Sequence, residues 1–575
     1  MGREGGRWLE GSMRRSVVVV LVTLLVSVSC SVAPAPPAPA GEQPVAGGRI
    51  VDGFTSDIKT LQPVLSSDTA SSGVWNLIYY SLTRNNPDTG AIEGQLAEKY
   101  ELSADGLTLT YTLRDNLVWS DGTPFTGEDY KYTAEAVMRS KKTIRKGTFD
   151  NVVGAKDYAD GKTDGIAGIT VAGGGKTIVI KFSKVFCPAV SQMGGAGAGG
   201  IIPKHKFTQY WDAKTLDATK NIDDNPMNME PAVSTGPFLF KEYKPGDHVT
   251  LVRNEKFFRG PPLAAEYYVK FYSDSTAVTN ALKVAEVTWS GVDAKDYEEL
   301  SKLETLRGYR FPSFSNGYIG WNPNNAKAPW LASREVRQAL WYGLDTKAVI
   351  DKVLFGYGKQ VYANTLPTMW AYDDAGFNKY SYDQKKAKEL LEKAGATMGS
   401  DGIYRWTDGQ PIKMKIETQS GDSTRETILA IAQEQYGQIG VKIEPLLESF
   451  QALTERTRFG KPDWEGVILG ISYGTDPDPY GVWHSSQATS TGLNRVGWNK
   501  GDQLITQQRD GPDCSQAARK KIIHDHDLLL NQEAPWTFLY NSDALVFSNK
   551  TLQSFDPKPF SRGSLWNIEK WWLKK

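Results

Sequence analysis

Between residues 333 and 445 the chain alternates strong helix signals with short apolar strands. That alternation restricts the fold more than any other feature. Ser333 reads as an N-cap, and Val336, Ala339, Leu340, Gly343 and Leu344 share one face of the helix that follows. Asp383 caps a second helix with Ala387, Leu390, Leu391 and Ala394 on one face and Gly395 as its stop. Strands at 413–417 and 441–445 flank a third helix over 425–438. Helices that each bury one stripe against such strands build an α/β layer. A final strand at 536–540 lies far downstream and is expected to rejoin an earlier sheet, which makes the domain it enters discontinuous.

The first half is richer in strands. Residues 107–113 alternate apolar residues with Thr after the turn pair Asp105-Gly106, and 177–182 read as another strand. Thr126-Gly127-Glu128-Asp129 has the form of a capping box opening a helix over 130–140. No repeat with a period of 20 to 50 residues is found.

The N-terminus carries Arg14-Arg15, an apolar stretch over 17–28, and Ser29-Cys30. A run this short suits a signal-peptide core and not a membrane span. It resembles a bacterial lipoprotein signal (residues 1–29), in which Cys30 is acylated and the Pro/Ala-rich segment 30–48 is a flexible tether. More than 500 residues follow with no other membrane-length apolar run. The chain holds 66 basic and 66 acidic residues, and the first 29 residues contain four Arg and two Glu, so the remainder has a formal charge of −2. That balance argues against a nucleic-acid partner. Beyond Cys30 only Cys187 and Cys514 remain, too few for a disulfide framework; they are able to pair, and two separate packed thiols are the expectation.

Gly470-Ile471-Ser472-Tyr473-Gly474 spells G-x-S-x-G, the nucleophile pentapeptide of serine hydrolases. A nucleophile elbow needs a helix directly after the serine, whereas Pro477 and Pro479 follow here, so Ser472 reads as a loop residue and not a catalyst. The glycine run 195–200 matches G-x-G-x-x-G, but Pro203 stands where a phosphate-facing helix should start. Asp476-x-Asp478 half-imitates a calcium loop whose twelfth position is Gln487, and His524 and His526 face different sides of a helix, so neither metal nor cofactor is expected. What remains is a strand end followed by a stiff loop carrying Tyr473, Gly474, Asp476, Asp478, Tyr480, Trp483 and His484. Strand ends of α/β sheets are where ligands bind, and mixed aromatic and polar groups suit a small-molecule site.

The chain also resembles a family, the bacterial extracellular solute-binding proteins of family 5, the oligopeptide-, dipeptide- and nickel-binding type. The likeness is carried by Leu96-Ala97-Glu98, Ser103-Ala104-Asp105-Gly106-Leu107, Leu113-Arg114-Asp115 and the stretch 118–125 (VWSDGTPF). Ser234-Thr235-Gly236-Pro237-Phe238, Arg253-Asn254, Val336-Arg337-Gln338-Ala339-Leu340 with Asp345, and Leu390-Leu391 continue it, as do Asp476-Pro477-Asp478, His484-Ser485-Ser486 and Asn494.

The resemblance implies an α/β, two-lobed periplasmic-binding-protein-like fold (type II, cluster C) with an extra inserted domain and two crossing segments. Domain I would comprise 49–81, 205–308 and 534–575, the inserted domain II 82–204, and domain III 309–533. It implies a monomeric, non-enzymatic binding lipoprotein on the extracytoplasmic side. Such a protein captures oligopeptides by lobe closure for a permease driven by cytoplasmic ATPases. Oligosaccharide is the second ligand class and nickel the third. Trp321, Asn322, Trp370 and Glu448 join the loop as site residues on this likeness. Peptide-binding members hold the ligand's α-ammonium with an Asp just after this strand. Here Gly474 or a gap falls at that point, which leaves Asp476 or Asp478 for the role or implies a ligand without an ammonium.

Overall fold

The computed structural model describes residues 43–195, 199–207, 222–461, 463–560 and 565–575. The leader, Cys30 and most of the tether therefore lie outside the described residues, as does the middle of the glycine run 195–200. Among the described residues no helix is long and apolar enough to cross a membrane.

The strands that position the site are, in chain order, β1 (Arg49–Phe54), β2 (Ala97–Leu102), β3 (Thr108–Leu113), β4 (Ile169–Ala172), β5 (Thr177–Lys181), β6 (Phe238–Lys244) and β7 (His248–Arg253). They continue with β8 (Glu266–Phe271), β9 (Trp289–Gly291), β10 (Leu306–Trp321), β11 (Lys413–Gln419), β12 (Lys442–Glu448), β13 (Gly466–Ser472) and β14 (Trp536–Asn549). One mixed sheet runs β12-β11-β13-β10-β14-β9-β1-β8-β7-β6, with Gly358–Lys359 pairing β14 off this path. A separate sheet, β2-β3-β5-β4, belongs to the inserted segment.

Two long strands carry the chain between the halves of the main sheet. β10 and β14 pair antiparallel from Leu306↔Asn549 to Gly320↔Trp536. The start of β10 lies beside the end of β14, which also pairs β9; the end of β10 pairs β13. Their ladder is interrupted between Pro312 and Asn316, where Asn541 Nδ2 donates to the carbonyls of Ser313 (3.0 Å) and Ser315 (2.8 Å) in place of backbone bonds. Such irregularities bend a strand locally, and this one falls at mid-length of both crossings.

The buried side chains follow the same division. One core gathers residues from Ile50 to Trp289 with Val546 to Trp571, and it includes Leu109, Tyr111, Tyr130 and Ile178 of the inserted segment. Two others gather residues from Ala294 to Leu545. The inserted segment thus shares its core with the first half by burial of apolar area.

Local signals are borne out with shifted ends. The capping box forms as Thr126 and Asp129, and because the box is itself the first turn, the helix α1 (Gly127–Arg139) starts at Gly127 and not at 130. α2 (Arg334–Tyr342) is capped by Ser333, α3 (Gln384–Lys393) by Asp383, and α4 (Ser423–Gln438) by Asp422. α5 (Gln516–Glu533) is capped by Ser515, whose side chain accepts from the Ala518 N–H. β14 extends nine residues beyond the expected 536–540 because β9 and the first half of β10 continue to pair with it.

The two cysteines correct the sequence expectation. Cys187 and Cys514 form a disulfide, with Cα atoms 5.0 Å apart. Side-chain packing alone does not reveal proximity across 327 residues, so only the tertiary fold decides it.

Asp52 on β1 is buried (5% exposed) and accepts 2.7 Å from the Tyr267 hydroxyl. Burial pushes its carboxyl up to about 8, against the opposing help of that bond. A carboxyl with a raised folded-state pKa favours folding below the unfolded value, near 4, and loses that contribution as pH rises through 8. Stability should therefore fall from pH 5 to 8, and Asp52→Asn should flatten that slope in urea-midpoint measurements; an unchanged slope would show that Asp52 does not cause it.

Candidate functional site

β11 and β13 are parallel neighbours in register at Ile416↔Gly466 and Glu417↔Val467, so both end at the same side of the sheet. β13 runs on to Ser472 because β10 pairs with it as far as Ser315↔Ser472. Ser472 is thus a strand residue and not a loop residue. Its hydroxyl meets Ser315 Oγ at 2.8 Å and not an imidazole.

The second edge of this strand end has no strand beside it. Tyr473 N–H donates to Phe314 at 2.8 Å, so odd-numbered residues here direct their backbone groups toward β10. Gly470 and Ser472 direct theirs the other way. On that side Thr418 Oγ1 donates to the Ile468 carbonyl at 3.1 Å, the paired register with β11 goes no further than Val467, and β11 ends at Gln419. Gly470, Ser472 and Gly474 are exposed, and a side chain at Gly474 would meet only open space. A short row of unpaired backbone donors and acceptors is the result.

The loop beyond is built on buried ion pairs. Arg519 of α5 donates to both oxygens of Asp476, at 2.9 and 2.7 Å, and Ser191 Oγ reaches the same carboxylate at 3.3 Å. Asp478 accepts from Gln508 Nε2 at 2.6 Å and from Tyr480 N–H at 3.1 Å, with Arg509 Nε 3.5 Å away. Burial raises its pKa, opposed by Arg509. The expectation that one of these aspartates is an open fixed charge meets a different arrangement, since each carboxylate already has an arginine. Among the described residues no group of three or more His, Cys, Asp or Glu is placed to hold a metal ion.

The other expected site residues divide clearly. Tyr473 is half-buried and its hydroxyl accepts 3.3 Å from Asn316 Nδ2. Tyr480 donates to Asp150 at 2.8 Å, lies under the Arg509 guanidinium at 3.7 Å and stacks on His484 at 4.7 Å. Trp370 is half-buried with Arg519 5.4 Å from its ring, and so belongs to the same neighbourhood. Glu448 ends β12 and accepts from Arg456 at 2.8 Å. Three residues need correction as ligand contacts. Trp483 is wholly buried with its indole donating to Asn364, and Trp321 is wholly buried with its indole donating to Thr537. Asn322 is buried and donates to the Trp464 carbonyl. Trp321 also pairs Gly466, at the opposite end of β13 from Ser472, about 20 Å away.

Sequence reasoning missed Gly470, Gln419 and Arg425. A Cβ on Gly470 would lie 3.2 Å from Arg425 Nη2, so the guanidinium sits directly beside the open strand edge. Gly470 between Leu469 and Ile471 was the available signal, because glycine inside a strand marks a close approach. Cavities of about 540 and 500 Å3 adjoin Arg259 in the other half of the sheet, and no residue of 470–486 lines either.

Comparison with known proteins bears on the fold and the family. The family model described as bacterial extracellular solute-binding proteins, family 5 middle, matches residues 91–492. The chain is 27% identical over 539 residues to the oligopeptide-binding protein AppA of Bacillus subtilis, covering 93% of each chain. It is 25% identical over 457 residues to a probable ABC transporter-binding protein of Deinococcus radiodurans, 74% of each. The solved structure of AppA with a nonapeptide superposes with a TM-score of 0.82 at 27% identity, over 93% of this chain and all of that one. NikZ of Campylobacter jejuni with Ni(L-His) has a TM-score of 0.77 at 24% identity, over 91% of this chain and 99% of that one, and shares the fold. The two-lobed α/β architecture and the match over most of the sequence lead to one assignment: the chain belongs to the bacterial extracellular solute-binding proteins of family 5, which bind solutes and are not enzymes.

Proposed function

We propose that this protein is the extracytoplasmic binding component of an ABC importer for oligopeptides, and that it captures them between two lobes. The observation that carries the reading is the open edge at Gly470–Ser472. A peptide laid along it as an extra strand satisfies both its own backbone groups and those of β13, whatever its side chains. The AppA relative, solved with a nonapeptide, supports the same ligand class. Lobes with boundaries near 308/309 and 533/534 would close by bending β10 and β14 at the interrupted ladder around Pro312–Asn316. Acylation of Cys30 would hold the monomer at the membrane near its permease, two chains being what stable anchoring requires.

The reading is tested by titrating a random nonapeptide pool and identifying bound species by mass spectrometry. Many sequences should bind, and Ser472→Pro, which removes one edge donor, should weaken them about tenfold. Retention of homologous sugars in place of peptides, or full affinity in Ser472→Pro, would count against the proposal.

A further inference from the structure

Resting on the peptide reading, we infer that this site recognises a ligand carboxylate through Arg425 and does not read a free N-terminal ammonium, so N-blocked peptides are ligands too. The inference starts from the charges around the open edge. Arg425, in the first turn of α4, has a half-buried side chain. Its Nη1 faces Gln419 Oε1 at 3.3 Å and Asp422 Oδ2 at 3.1 Å. Its Nη2 points at Gly470, and the missing side chain there leaves room for a ligand atom. Asp422 compensates part of the charge, but its other oxygen is already engaged in capping α4 at the Arg425 N–H, 3.0 Å away.

Among the described residues, the carboxylates around this region are either paired or sealed by burial. Asp476 is held by Arg519 at two points, and Asp478 by Gln508 and Arg509. Glu417 lies 3.2 Å from Arg456, which also binds one oxygen of Glu448; neither oxygen of Glu417 nor Glu448 Oε2 makes a hydrogen bond, but all three are buried and so closed to a ligand. Asp57, on the facing lobe, accepts from the Tyr243 hydroxyl at 3.0 Å and the Gly246 N–H at 2.8 Å. Asp293 accepts from the Ser275 and Ser423 hydroxyls at 2.6 Å each. An ammonium enclosed here would lose its hydration without gaining an open carboxylate, which is costly. A carboxylate beside the edge meets a guanidinium with a nitrogen to spare, and charge-assisted bonds of that kind are strong and directional.

The carboxylate has two sources, the peptide C-terminus or an acidic side chain. Competition calorimetry with random nonapeptide pools separates them: free-ended, N-acetylated, C-amidated, and free-ended without Asp or Glu. Acetylation should change affinity less than about threefold. Amidation, or omission of Asp and Glu, should cost about tenfold, and Arg425→Gln should erase that difference while Arg425→Lys keeps part of it. A tenfold loss on acetylation with no cost of amidation or of omitting acidic residues would overturn the inference and leave the peptide reading standing. Binding of none of the four pools would overturn both.

Discussion

Loss of the Cys187–Cys514 bridge is expected to lower unfolding stability by about 3–5 kcal/mol. A cross-link that closes 327 residues removes much of the unfolded chain's freedom, for which loop-entropy reasoning sets an upper value near ~6 kcal/mol. The bridge also ties the chain just after β5 to the chain just before α5, and polar contacts flank it. Asn151 donates to Asp510 at 2.7 Å, Lys184 pairs with Asp510 at 2.6 Å, and Arg509 donates to the Gly147 carbonyl at 2.9 Å. Those contacts should let a Cys187→Ser/Cys514→Ser variant fold. Urea titration of that variant against the oxidised protein reads the stability difference, and small-angle scattering without ligand should show a larger radius once the tie is gone. Two free thiols in the denatured, unreduced protein would refute the bridge itself.

The second large effect concerns Asp476. Asp476→Asn leaves the Arg519 guanidinium, only 5% exposed, without its carboxylate. Removing one partner of a buried, doubly bonded pair costs about 3–5 kcal/mol, mostly from the uncompensated charge that stays behind. The expected signature is a drop in urea midpoint with the peptide's N-terminal chemistry still irrelevant to binding. If instead stability is unchanged and only free-amine peptides lose affinity, Asp476 is a ligand anchor and its pairing with Arg519 is incidental. The double variant Asp476→Asn/Arg519→Met should recover part of the loss, since an apolar replacement for both partners leaves no unpaired charge.

The course of the candidate loop was legible, but the partners of its side chains were not. Gly470 to His484 stood out as a strand end followed by a Pro-stiffened aromatic loop, and the structure puts that loop at the shared end of β11 and β13. The individual roles depended on partners far away in sequence. Asp476 and Asp478 looked like free charges because Arg519 and Arg509 come 43 and 31 residues later, on helices whose orientation no local pattern contains. Trp483 and Trp321 looked like binding aromatics, and both are core: an indole's composition is the same whether it packs inside or lines a cleft.

What the sequence determined by itself is local or repeated along the whole chain. Helix starts at Ser333 and Asp383 follow from side chains that satisfy the first free N–H groups. The α/β class follows from periodicity, and family membership from many short stretches in order. Tertiary structure alone decided the disulfide, the arginine partners of the two aspartates, the length of β14 and the open edge at Gly470. Each depends on which distant segments become neighbours, and above all on where β11 stops while β13 continues beside β10. A strand's free edge is a property of its neighbours' lengths, so no reading of residues 466–472 alone contains it.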